Sequence, residues 1–184
     1  MKKVGILAVI LIMLLLTGCE KTVNTSLPFE FDKEGNYTGF MDLPENYTVE
    51  QAEKDGCYVH ERFIPAGGEQ LWEDFVQSAS SKKDASIRIV HFFDEEILIA
   101  DLFHVDGYYY VFIPGSGNKK DHKFKYMLTL EGTLPNAARS SKYTVLTDDR
   151  KLTYNDVAWL PLSSDSSYAS KIPRFDFVMI EMDN

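Results

Sequence analysis

The chain has 184 residues, 45% of them hydrophobic, with 28 acidic side chains against 19 basic ones and a formal charge of −9. That surplus of carboxylates repels phosphate backbones, which argues against a nucleic-acid partner. The length allows one domain with a genuine core, and two cysteines are too few for a disulfide-stapled scaffold.

Taken in order, residues 1–20 decide the address. Lys2 and Lys3 precede an almost unbroken apolar run from Val4 to Leu16, and Leu16-Thr17-Gly18-Cys19 follows directly. This is the layout of a secretory signal. The apolar run, about 13 residues, is short of the roughly 20 helical residues that span a hydrocarbon core. The stretch resembles the signal peptide of bacterial lipoproteins, whose Leu-x-Gly-Cys lipobox is cut before a diacylated cysteine. The resemblance implies cleavage between Gly18 and Cys19, lipidation of Cys19, and attachment to the membrane through that anchor. Two or more acyl chains hold a protein durably where one is marginal. Residues 1–18 are then the signal peptide, 19–46 the lipidated N-terminus and tether, and 47–184 a single globular domain. The mature part carries 17 basic and 28 acidic residues, a charge of −11, so net charge alone predicts a domain standing off its own membrane. With Cys19 lipidated, Cys57 has no partner for an intrachain disulfide.

Phe29, Phe31, Tyr37, Phe40 and Leu43 surround the turn-like Lys33-Glu34-Gly35-Asn36, which suggests a short hairpin laid against the domain. Thr48 and Gln51 have capping-box spacing for a short helix from Val49 to about Asp55, ended by Gly56. Cys57 to Phe63 reads as extended and Pro65-Ala66-Gly67-Gly68 as a turn. Leu71, Trp72, Phe75, Val76 and Ala79 form one stripe of the clearest helix. Residues 86–93 and 97–105 read as a hairpin. Asp106-Gly107 leads into a third strand, 108–113, and the alternation of Phe124, Tyr126, Leu128 and Leu130 predicts a fourth across 123–131. Lys142 to Leu146 is a further strand, Thr153 caps a helical turn reaching Trp159, and 172–182 closes the chain as a last strand.

The runs Tyr47-Thr48-Val49-Glu50-Gln51-Ala52, Lys54-Asp55-Gly56, Asp84-Ala85-Ser86-Ile87-Arg88-Ile89-Val90, Asp101-Leu102 and Asp106-Gly107 resemble a family of small lipoprotein domains of unknown function from Gram-positive bacteria. The resemblance covers roughly residues 47–113 and implies export and domain limits but no mechanism.

Candidate chemistry is sparse. His60, His91, His104 and His122 are scattered without metal-ligand spacing, and His91 and His104 fall too far apart in the expected register to share an ion. Neither a metal site nor a cofactor is expected. Arg88 and Asp101 sit diagonally on neighbouring strands, as an anion-binding arginine oriented by a carboxylate or as a simple sheet-surface ion pair. Tyr108 and Tyr110 share one face, as a stacking platform for a ligand or as core. These four residues are the candidate ligand-binding set, and no catalytic residues are assigned. Gly115-Ser116-Gly117-Asn118-Lys119-Lys120 lacks the spacing of a phosphate loop and reads as a connection.

The fold class expected is α+β, with one or two N-terminal helices packed on an antiparallel sheet of five or six strands. It resembles the cystatin-like arrangement of one helix across a curved sheet, an analogy that transfers no activity. The leading functional expectation is a lipid-anchored, non-enzymatic binding or interaction module with an unknown protein or peptide partner. An envelope hydrolase with a dispersed active site, or an immunity or inhibitor protein, is the alternative.

Overall fold

A computed structural model describes residues 26–117, 119–135, 137–160 and 170–183. Cys19 and Gly18, where the anchor is expected, lie outside them. The fold is α+β and mostly β. A first sheet holds five strands, β1 (Tyr58–Glu61), β2 (Ile64–Gly67), β3 (Ala85–Phe92), β4 (Ile97–Val105) and β5 (Tyr108–Phe112), in the order β2-β1-β3-β4-β5. A second sheet holds β6 (Tyr126–Gly132), β7 (Ser141–Thr147) and β8 (Phe175–Met182) in sequence order. Among the described residues three helices complete it: α1 (Val49–Lys54), α2 (Glu69–Ser80) and α3 (Tyr154–Trp159). Among the described residues no helix is long and apolar enough to cross a membrane.

The single antiparallel sheet expected from the sequence is replaced in two respects. First, β1 runs parallel to β3, pairing Tyr58 with Ile89 and His60 with His91, because α2 carries the chain back across the sheet between them. Pro65, expected in a turn, lies in edge strand β2, where its missing N–H costs no ladder bond. Second, the strand expected fourth leaves the sheet. Only Phe124 bonds to β5, exchanging both backbone hydrogen bonds with Tyr109, before the chain turns away to pair β6 with β7. The alternation read there misjudged the burial: Met127 packs toward the main core while Leu128 and Leu130 pack under the second sheet, so both faces of β6 are half-covered.

Local chemistry explains the helices. The Thr48 hydroxyl accepts from Gln51 N at the start of α1, and Thr153 with Asp156 forms a complete capping box on α3. At α2 the cap is Gly68 with φ 77°, where a Cβ would collide with the Cys57 carbonyl oxygen, so only glycine lets the helix begin this close to β1. The stripe of α2 buries Phe75 and Ala79 fully and Leu71, Trp72 and Val76 partly, against Tyr58, Ile87, Ile89 and Leu102.

The first sheet is therefore covered on both faces. One face meets α2 and the second sheet. The other meets residues 27–47, a strap that belongs to the folded body from Leu27 onward. Leu27 N donates to Ser86 Oγ (2.8 Å), Phe29 and Phe31 lie on Phe103, Tyr110 and Phe112, and the chain turns at Asp32–Asn36. It then returns across the sheet, stacking Tyr37 on Phe112 and Tyr47 on Phe92.

Candidate functional site

Two buried polar clusters stand on strand β3, one on each face. The first contains the sequence-predicted Arg88 and Asp101. The β3–β4 hairpin closes through Phe93 and Glu96, which sets Arg88 directly opposite Asp101 instead of diagonal to it. Arg88 Nε donates to Asp101 Oδ1 (2.6 Å) and Nη2 to Oδ2 (2.6 Å), a bidentate pair with Asp101 wholly buried. The strap completes it. Tyr37 donates its hydroxyl to Asp101 Oδ2 (2.9 Å), and Arg88 Nη2 also donates to the Gly39 carbonyl (3.0 Å). A Cβ on Gly39 would strike the Tyr37 hydroxyl, so glycine is what lets the strap pass here. Burial works against the Arg88 charge, but the Asp101 carboxylate more than compensates and holds the guanidinium above its usual value. Burial first, then the Asp101 charge, drives the Tyr37 phenol well above its usual range. Such a cluster fastens backbone. Its donors already point at protein oxygens.

The two tyrosines diverge. Tyr110 is buried under Phe29 as part of the strap's seat, while half-buried Tyr108 lies at the sheet edge with Lys123 Nζ 4.0 Å above its ring. They are not joined to the Arg88–Asp101 pair in one site. Cys57 is buried beside Tyr47, and burial pushes its thiol up to about 11, which keeps it protonated and unreactive at neutral pH.

The second cluster was not foreseen. Because β1 and β3 pair in parallel, His60 and His91 are direct neighbours, with Nδ1 atoms 3.2 Å apart. At that separation one ring donates and the other accepts. His60 Nε2 has no hydrogen-bond partner and lies 3.5 Å from Glu181 Oε1 of β8, the same oxygen that accepts from the Tyr58 hydroxyl (2.7 Å). His60 is wholly buried and His91 nearly so. Burial, and then the facing His60, lower His91 to about 4, whereas the nearby His60 ring and the Tyr58 hydroxyl outweigh burial and lower Glu181.

His104 pairs with Ala85 and His91 with Leu98, so these two histidines lie six residues apart along β3, and His104 Nδ1 contacts the Lys83 carbonyl instead (2.7 Å). In the His60 cluster the donor atoms diverge around the His60 ring, and no group of three His, Cys, Asp or Glu among the described residues is arranged to hold a metal ion. A recess of about 310 Å³ lies where the strap meets α2 and β3, lined by Leu27, Phe29, Leu71, Phe75, Asp74 and Asp84 among others. Apolar walls with two carboxylates suit an apolar group flanked by positive charge. No protein-family model, curated protein or solved structure matches the chain.

Proposed function

We propose that the chain is a bacterial lipoprotein, held by a diacylated Cys19 at the outer face of the cytoplasmic membrane, whose folded part is a binding or interaction module. The observation that carries this reading is Leu16-Thr17-Gly18-Cys19 at the end of a basic-then-apolar leader. The strap supports it from the folded side. An anchored domain takes any pull on its tether where the tether joins the fold, and here Leu27, Tyr37 and Gly39 are bonded to Ser86, Asp101 and Arg88 in the middle of the first sheet. Neutralising the arginine against its carboxylate keeps that fastening intact without any outside ion.

Mass spectrometry of the mature N-terminus tests the proposal. A diacylated Cys19 as first residue is the expected product, and the Cys19→Ala protein leaves the membrane fraction. An intact leader, an unmodified Cys19, or a Cys19→Ala form that stays in the membrane as fully as the wild type refutes it.

A further inference from the structure

Charge is segregated in this protein. The segments 119–126, 148–151 and 171–176 contain eight lysines and arginines and four aspartates, while the rest of residues 19–184 contains nine cations and 24 carboxylates. The fold stitches the three segments into one ridge along the open side of β5. Lys125 N donates to Asp148 Oδ1 (3.0 Å), and Arg174 Nη2 donates to the Lys123 carbonyl (2.9 Å) and lies 3.5 Å from Asp148. His122 Nε2 contacts Asp176 (2.7 Å). Lys151 N donates to Asp149 Oδ1 (2.8 Å), so three of the four aspartates are engaged inside the ridge by their own neighbours, whereas the cations are exposed.

Aromatic rings hold the cations in place. Lys123 Nζ lies 4.0 Å over Tyr108, Arg150 4.3 Å over Tyr126, Arg174 4.3 Å over Phe124, and Lys120 5.6 Å over Phe31. A cation packed on a ring has less rotamer freedom left to lose, and its outward N–H groups remain available. The ridge also lies close to the root of the tether. Leu27 is bonded at Ser86, which pairs with Phe103; Phe103 pairs with Tyr110, whose neighbour Tyr109 pairs with Phe124, so three strand spacings, or about 14 Å, separate them. The chain from Cys19 to Ser26 spans at most about 25 Å fully extended.

From this juxtaposition, and resting on the anchored reading above, we infer that the Lys119–Tyr126 ridge with Arg150 and Arg174 docks on the anionic phospholipid headgroups of the membrane that holds the anchor. Net charge would push the domain off the bilayer, but the local surplus of cations on the ridge turns that side toward anionic headgroups. Tyr108 and Tyr126 bring rings of the amphipathic kind that settle at a headgroup interface.

The test is lysine acetylation footprinting of the acylated mature protein reconstituted in vesicles of phosphatidylcholine, with and without phosphatidylglycerol. Lys119, Lys120, Lys123 and Lys125 are expected to react several-fold more slowly on the anionic vesicles. Protection should vanish at 1 M salt, where the screening length is about 3 Å, and Lys54 on α1 should react alike on both. Replacing Lys119, Lys120 and Lys123 by Glu should abolish the difference between vesicles, and the wild-type salt series decides the matter should that variant misfold. Flotation with both vesicles but equal lysine reactivity overturns the ridge and leaves the anchor standing. Flotation with neither overturns both.

Discussion

Arg88 and His91 are three residues apart on one strand and face opposite ways, yet the clusters they build differ in kind. Around Asp101 the two carboxylate oxygens receive three hydrogen bonds from Arg88 and Tyr37, and the charges cancel. Around His60 the bonding is incomplete, with a buried ring nitrogen 3.5 Å from its nearest acceptor and two imidazoles sharing one hydrogen-bond position. A buried polar group costs little when satisfied and much when not. The first cluster is therefore satisfied within itself, and the second is where acid acts.

The comparison can be broken most severely at Asp101. Asp101→Ala strands the Arg88 charge and should cost about 3–5 kcal/mol in chemical denaturation, whereas the double change Arg88→Met with Asp101→Leu should recover most of it. Next comes pH. His91 is lowered to about 4 from an ordinary 6.5, so the unfolded chain binds the extra proton first. The stability it contributes is complete above about pH 6.5 and falls as pH drops toward 4, by about 3 kcal/mol in all. Denaturation midpoints across that window should flatten in His91→Gln. A smaller and sharper contrast lies in two phenols. Tyr37→Phe removes a fully buried bond to a charged oxygen and should cost about 2 kcal/mol. Tyr58→Phe removes the matching bond to Glu181, which water can partly replace, and should cost under about 1 kcal/mol. Equal losses would show that the two clusters are alike after all.

How much of this was legible in the sequence follows from contact distance. The α2 stripe and the β3–β4 hairpin are local, and periodicity exposes them. Placing the turn at Glu95-Glu96 misjudged a loop closed by Phe93 and Glu96, and so slipped Arg88 against Asp101. Tyr37 and Gly39 join that pair from 64 and 49 residues away, which no spacing rule reveals. The His60–His91 contact depends on a parallel pairing of a four-residue strand, and only the helix lying between 58–61 and 85–92 hinted at it. The basic ridge was hidden because its three segments cancel in a whole-chain charge.

The strap also imposes an order of events. It leaves the ribosome ahead of everything it packs on, for Leu27 must wait 59 residues for Ser86 and Tyr37 must wait 64 for Asp101. Phe29, Phe31 and Phe40 are bare during that interval, so the nascent chain crosses its most adhesive moment before the sheet exists. The oldest segment of the fold thus closes last, over the youngest strands of its own sheet.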